Sequence, residues 1–173
     1  MKRPTAGDCS AYFLSYTDRV EGDDVLGVLE QGTARARRAL GSLDEERASF
    51  RYAPGKWSVK ELVGHIADAE RVFTHRAHWF ARAHPDPLSG FEENAFNAAS
   101  SFDARSLSSI LDELDTVRAA TLSLFRNLTD EELERSGVAE GNRFVVRSVP
   151  WLLAGHEQHH LGVLRDRYGI EGL

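Results

Sequence analysis

The chain has little cysteine, no long apolar run and no excess of basic residues, and each shortage excludes a class of protein. Only one of its 173 residues, Cys9, is a cysteine, which excludes an intramolecular disulfide. No apolar run approaches the roughly 18 residues of a membrane-spanning helix. The formal net charge is −6, whereas a broad nucleic-acid surface needs a basic stripe. We therefore expect neither a membrane nor nucleic acid among its partners.

Length and the first residues predict how the chain is organised. With 42% hydrophobic residues, a chain of this length can bury a full core, which predicts one domain over residues 1–173. Residues 1–22 are interpreted as an N-terminal extension with a short apolar segment that packs on the body: Tyr12, Phe13, Leu14 and Tyr16. The first ten residues lack the apolar segment of a secretory signal, so a cytoplasmic protein is expected. Cys9 is interpreted as a spare thiol in a mobile segment.

Apolar residues recur at the spacing of amphipathic helices in four places. The predicted helices begin at Asp23 or Asp24, Ser58, Asp103 or Ser106, and Ser148. A long crossover, residues 84–105, separates the second helix from the third and is expected to cover the mouth of a site. A brief hairpin around Gly141 precedes the fourth helix. The predicted fold is all-α, a four-helix bundle with a long crossover between the second and third helices and a short hairpin-like segment before the fourth.

The fourth helix carries two ionisable side chains in the middle of its apolar stripe. His156 and His160 are one turn apart, so both imidazoles point at one spot inside the protein; His159 projects to the side. A desolvated imidazole needs partners for its ring nitrogens, and a metal ion would supply one. Two hydrogen-bonded core histidines would explain the same pattern, and the pattern alone leaves both interpretations open.

A third candidate ligand lies on the second helix. Of the three histidines there, His65 falls at the margin of the apolar stripe, whereas the other two fall on the far side. Arg76 lies near the same edge as His65 and is expected to approach the same spot. Asp68, one turn from His65, is a candidate for orienting it. Since bundles build metal sites from inward side chains on facing helices, the candidate metal ligands are His65, His156 and His160.

Three strings of residues carry a resemblance to a known family. WSVKELVGHIADAE in the second helix, PLSGFEENAF in the crossover and GHEQHHLGVLR in the fourth helix resemble the DinB superfamily, in particular its YfiT-like branch. The resemblance extends from about residue 24 to residue 168. It implies a four-helix bundle in which one histidine of the second helix and two of the fourth bind a divalent metal. Those ligands correspond to His65, His156 and His160.

The resemblance also implies an activity. Known members include S-transferases that use low-molecular-weight thiols and a mycothiol-dependent isomerase, which implies a small-molecule substrate with such a thiol as cosubstrate. Three neutral imidazoles leave a divalent ion with an open coordination position, as in catalytic sites. The ion would activate a thiol or water for attack on a small electrophile, so thiol S-transferase and hydrolase both stay open. Zinc or nickel is the expected ion, and manganese and iron also suit imidazole.

Other interpretations compete with this one. HEQHH also satisfies the HExxH pattern, with Glu157 as the base of a zinc protease, but the residues after His160 offer no third histidine. A non-catalytic, stress-related protein that binds a metal or a small ligand is the alternative from another class. A homodimer is also expected, because relatives often pair through helix faces. Val163 stands where many relatives carry Gln, which removes a polar neighbour of the site.

Overall fold

Eight α-helices and one two-stranded sheet make up the computed structural model, which describes residues 1–173. The helices are α1 (Ala11–Thr17), α2 (Val25–Leu40), α3 (Glu45–Ser49), α4 (Val59–Ala81), α5 (Glu93–Ala99), α6 (Leu107–Arg126), α7 (Asp130–Glu134) and α8 (Ser148–Tyr168). The four long helices α2, α4, α6 and α8 form the bundle, so the all-α prediction is confirmed. None of the helices is both long and apolar enough to span a membrane.

The long helices are arranged in a closed square. Both α2 and α4 pack against α6 and also against α8. Each long helix therefore has two long neighbours and turns one stripe of side chains toward a shared interior, which is the environment that the apolar periodicity of the sequence anticipates.

Capping residues explain most of the helix boundaries. Asp24 accepts a hydrogen bond from the Gly27 amide at the start of α2, and Ser58 forms a capping box with Glu61 at the start of α4. Such side chains satisfy amides that have no partner in the first helical turn. Ser106 caps α6, whereas the earlier alternative, Asp103, lies in a 3₁₀ turn. Gly169, with φ of 65°, ends α8 in the left-handed conformation that glycine favours.

The crossover and the hairpin are bonded to each other. Strands β1 (Ser136–Ala139) and β2 (Asn142–Val145) are antiparallel, with Ser136 paired to Val145 and Ala139 to Asn142. In the crossover, the Leu88 amide donates to the carbonyl of Val138 at 2.9 Å, and the Leu88 carbonyl accepts from the Glu140 amide at 2.9 Å. The hairpin therefore fixes the first part of the crossover against the bundle.

Two apolar clusters fill the bundle, one toward each end, and polar side chains lie between them. On α4 the first cluster takes residues from Ala69 onward and the second takes residues up to Ala67. On α8 the first cluster ends at Ala154 and the second begins at Leu161. The junction between the clusters holds the buried polar residues His65, Glu70, Arg118, His156 and Glu157. The buried polar side chains are therefore concentrated in the middle of the bundle.

The N-terminal residues are docked on the body. Helix α1 packs on α8, and Gly155 allows this close approach, because a Cβ there would lie 1.9 Å from the Tyr16 carbonyl oxygen. Arg147, just before α8, pairs with Asp8 at 2.9 Å. Cys9 is buried with 7% of its surface exposed. The interpretation of Cys9 as a thiol in a mobile segment is therefore wrong, because the segment carrying it joins the core.

Candidate metal centre

The structure brings the three predicted histidines together. Nε2 of His156 lies 3.2 Å from Nε2 of His65 and 3.0 Å from Nε2 of His160. The ligand atoms of the three side chains all lie within 4.8 Å of one another. We call His65, His156 and His160 the histidine cluster. For comparison, a tetrahedral zinc ion with bonds of about 2.0–2.1 Å separates its ligand nitrogens by about 3.3 Å.

Hydrogen bonding among the imidazoles cannot satisfy the whole histidine cluster. In a neutral imidazole each nitrogen carries either one proton or one lone pair. Nε2 of His156 faces two other Nε2 atoms, so one proton or one lone pair on it leaves one of the two contacts unsatisfied. A cation that accepts a lone pair from each ring would satisfy all three nitrogens, so the donor set fits a divalent ion.

Burial keeps the histidine cluster in the form that ligands need. It lowers the pKa of His65 to about 4, and burial together with the neighbouring histidines lowers the pKa of His156 to about 3. The pKa of His160 is also lowered, for the same reasons. Removing a cationic imidazole from water is unfavourable, so all three rings are neutral at pH 7 and each keeps a lone pair for a metal.

The histidine cluster opens onto a cavity of about 390 Å³ between helices α1, α4, α5 and α8. All three of its imidazoles line this cavity. The ring of Trp57, just before α4, packs on His65 with ring centroids 4.8 Å apart. From the crossover, Phe91 and Glu93 contribute to the wall, in line with the expectation that this segment covers the site. The volume suits a small organic molecule.

The N-terminal extension supplies a wall of the cavity that sequence reasoning missed. Tyr12, Phe13 and Tyr16 of α1 all line it, and the ring of Tyr16 lies 5.6 Å from that of His156. Burial raises the pKa of Tyr16, so its hydroxyl keeps its proton. The density of aromatic residues in this short helix was the available signal, but nothing in it specified a position beside the fourth helix.

Glu157 does not reach the histidine cluster, although it follows His156 in the chain. Its carboxylate binds the guanidinium of Arg118 at 3.1 Å, and Arg118 also binds Glu70 at 2.8 Å. We call Arg118, Glu70 and Glu157 the ion cluster. Because Glu157 belongs to this buried structural group and is absent from the cavity wall, the structure does not support the zinc-protease interpretation.

The remaining sequence-based candidates fall into two groups. Arg76 and His159 line the cavity. The helical position of Arg76 predicted this, whereas the helical position of His159 left its role open. Asp68 does not orient His65; it pairs with Arg71 at 3.3 Å. Val163 lines a different, wider groove of about 760 Å³ between α2 and α8, so a glutamine at this position would not face the cavity. His159 is the one histidine that borders both spaces.

Comparison with known sequences points to one family. The sequence model of the DinB superfamily matches residues 28–164. A protein from Oceanobacillus iheyensis is 28% identical, and the alignment covers 88% of this chain and 90% of that protein. Its name assigns it provisionally as a metal-dependent hydrolase.

Two solved structures share the fold. YfiT from Bacillus subtilis, described provisionally as a metal-dependent hydrolase with an unusual four-helix bundle topology, matches with a TM-score of 0.73 at 19% identity. The match covers 88% of this chain and 95% of YfiT. A mycothiol-dependent maleylpyruvate isomerase matches with a TM-score of 0.69 at 14% identity, over 90% of this chain and 63% of the isomerase. At these identities the likeness shows the fold alone.

Proposed function

Because the chain belongs to the DinB superfamily, we propose that it is a metal-dependent enzyme whose divalent ion is held by His65, His156 and His160. The convergence of three neutral imidazole nitrogens at the wall of a small cavity carries this proposal. Zinc or nickel is the ion we expect, since both suit imidazole ligands; iron and manganese are the alternatives. The names of the relatives support a metal-dependent reaction on a small molecule.

The reaction that suits this site is attack of an activated thiol or water on a small electrophile. The bound ion supplies the charge that lowers the pKa of that nucleophile. Trp57 and Tyr16 pack on His65 and His156, which holds the rings in place and limits water around them. Outside the histidine cluster, His159 and Glu93 of the cavity wall can accept the released proton, and the ring of His159 lies 4.9 Å from that of His160. A low-molecular-weight thiol as cosubstrate would make the protein an S-transferase, and water would make it a hydrolase.

Metal uptake tests the first half of the proposal. We expect untagged protein to bind close to one equivalent of zinc or nickel by elemental analysis after dialysis, and His156→Ala to bind none. His75→Ala is the matched control, because His75 lies on α4 with an exposed side chain and should leave metal content unchanged. Unmutated protein that takes up no stoichiometric metal would refute the proposal.

Turnover tests the second half. Metal-loaded protein is incubated with 1-chloro-2,4-dinitrobenzene and N-acetylcysteine, and separately with p-nitrophenyl acetate in the absence of thiol. Consumption that requires the thiol assigns the S-transferase, and ester hydrolysis without it assigns the hydrolase. Tight metal binding with no turnover across a broader panel of electrophiles would favour the alternative, a non-catalytic stress-related protein that binds a metal or a small ligand. A cytoplasmic location and a homodimer stay predictions from the sequence.

A further inference from the structure

Arg76 places a buried positive charge in the wall of the same cavity as the histidine cluster. It lies eleven residues after His65 on α4, which is three helical turns and therefore nearly the same face. The two Cα atoms are about 16 Å apart along the helix axis, and the Arg76 side chain leans back toward the N-terminus of α4, in the direction of His65. Both side chains line the cavity. A small molecule in the cavity would therefore lie between His65 at one end and Arg76 at the other.

The guanidinium of Arg76 has few partners within the protein. Its Nη2 donates to the Ser89 carbonyl oxygen at 3.2 Å, while its Nη1 is buried and has no partner. The nearest carboxylate is that of Glu140, at 3.8 Å and with 52% of its side chain exposed. The rings of Phe73 and Phe144 lie 4.9 and 5.8 Å from the guanidinium carbon. An arginine that is 2% exposed thus has no carboxylate at hydrogen-bond distance.

Such an arrangement is unfavourable unless something else compensates the charge. A guanidinium offers five N–H donors, and a buried charge is normally both paired and hydrogen-bonded. Arg118, the other deeply buried arginine of the bundle, binds two carboxylates, a hydroxyl and a carbonyl. Arg76 instead lines the cavity, and its buried Nη1 is a donor that has no partner within the protein.

We propose that Arg76 binds the carboxylate of the substrate, which makes the substrate a small organic acid with an apolar body. This assignment rests on the proposed function and narrows its substrate class. A carboxylate matches the planar guanidinium and forms short charge-assisted hydrogen bonds with it. The rings of Phe73 and Phe91, which also line the cavity, provide contact for an apolar body. Glu93 and Glu140 in the same wall disfavour a dianion such as a phosphate ester through like-charge repulsion.

A purely structural role for Arg76 makes a different prediction. In that case the residue only links the crossover, through Ser89, to the hairpin, through Glu140. Replacing it would then lower stability without changing the affinity for a carboxylate. Glu140 separates the two roles, because as the neighbouring carboxylate it competes with a ligand for Arg76.

Calorimetric titration of the full-length protein with benzoate tests the proposal. The protein is stripped of metal with a chelator, so that a carboxylate cannot bind the ion instead. We expect benzoate to bind at least about tenfold more tightly than benzamide, its neutral analogue, and phenyl phosphate to bind more weakly than benzoate. Arg76→Gln should weaken benzoate binding about tenfold or more, and Arg76→Lys, which keeps the charge, by less. Glu140→Gln should strengthen it about threefold, because a competing carboxylate is removed.

Controls separate this proposal from the proposed function. Arg82→Gln removes an arginine beside the C-terminus of α4 whose side chain is 55% exposed, and it should leave benzoate affinity unchanged. Zinc uptake, measured in parallel, should be the same for Arg76→Gln and for the unmutated protein. No detectable benzoate binding, equal binding of benzamide, tighter binding of phenyl phosphate, or unchanged affinity in a folded Arg76→Gln variant would each overturn the Arg76 assignment, whereas absent zinc uptake would overturn the proposed function.

Discussion

The ion cluster and the histidine cluster occupy neighbouring places in the same helices, yet one is closed and the other is open. Helix α4 contributes His65 to the histidine cluster and Glu70 to the ion cluster, and α8 contributes the consecutive residues His156 and Glu157. Successive residues of a helix point about 100° apart. A single step along α8 therefore separates a side chain that lines a cavity from one that is enclosed in the bundle.

The ion cluster is satisfied by the protein alone. Arg118 binds Glu70 and Glu157, the hydroxyl of Thr33 at 2.6 Å and the carbonyl oxygen of Leu29. Burial raises the pKa of Glu157, and the positive charge of Arg118 counteracts part of this rise. Although burial by itself would lower it, the charges of Glu157 and Glu70 hold the pKa of Arg118 above its usual value. The ion cluster thus joins α2, α4, α6 and α8 and leaves no donor directed at a ligand.

The histidine cluster lacks such internal satisfaction. The single proton or lone pair on Nε2 of His156 cannot pair with both neighbouring Nε2 atoms. In the wall of the same cavity, Arg76 has a buried Nη1 without a protein partner. The difference shows how a bundle can carry both stability and function at one level: charged groups that are completely paired stabilise the helices, and polar groups left without partners are available to ligands.

Removing the cation of the ion cluster should have the largest effect on stability. Arg118→Met leaves two buried carboxylates without their partner, which should lower the free energy of unfolding by about 3–5 kcal/mol. Denaturant unfolding of metal-free protein measures it. Arg126→Met, on the same helix with half of its side chain exposed, should change stability by less than about 0.5 kcal/mol. A loss below about 1 kcal/mol for Arg118→Met would show that the ion cluster is not the structural element described above.

Displacing α1, which forms one wall of the cavity, should lower stability by less than the loss of Arg118 does. The structural change should be confined to the side of the bundle that carries the histidine cluster. Gly155→Ala puts a methyl group against the Tyr16 carbonyl, which should lower the free energy of unfolding by about 1–3 kcal/mol. Gly162→Ala is the matched control on α8, because nothing lies within 4 Å of the added carbon, and it should be neutral or stabilise by up to about 1 kcal/mol. Equal effects of the two substitutions would mean that α1 does not pack closely against α8.

Labelling of Cys9 perturbs the protein least. The labelling rate measures how tightly the N-terminal segment and α1 pack against the bundle. Burial raises the pKa of the Cys9 thiol to about 11, against about 8.5 for an ordinary thiol. At pH 8 the native protein should react with iodoacetamide about 100-fold more slowly than the unfolded chain, since the thiolate is the nucleophile. The native rate should rise about tenfold per pH unit between pH 8 and 10, as the thiol loses its proton.

Gly155→Ala connects this measurement to the previous one. Lifting α1 from α8 exposes the segment that carries Cys9, so the substitution should raise the labelling rate at pH 8, whereas Gly162→Ala should not. A native rate within tenfold of the unfolded rate in the unmutated protein would show that the N-terminal segment opens freely.

Local sequence signals account for much of the fold and for the choice of candidate ligands. Ser58 with Glu61 and the left-handed Gly169 mark helix ends through contacts within a few residues. The one-turn spacing of His156 and His160 places both rings on one face of α8 whatever packs against it. Assigning them to a metal additionally used the helical position of His65 and the family resemblance, and the metal itself stays a proposal.

What could not be predicted depends on pairs of residues far apart in the chain. The apolar segment of the N-terminal extension could not show that Tyr16 would lie beside His156, because that contact depends on the space that Gly155 leaves between α1 and α8. Similarly, Glu157 and Arg76 are both polar residues beside apolar stripes, and nothing local distinguishes them.

The sequence by itself therefore determined the four long helices, their inward faces and the presence of three histidines that can meet. The tertiary structure decided which polar groups are satisfied. It paired Glu157 with Arg118, and it placed Arg76 in a cavity wall without bringing any carboxylate within hydrogen-bond distance of the guanidinium. The physical reason is that helical periodicity is set by contacts within one turn, whereas the pairing of a buried charge depends on which distant side chain the packing brings to it.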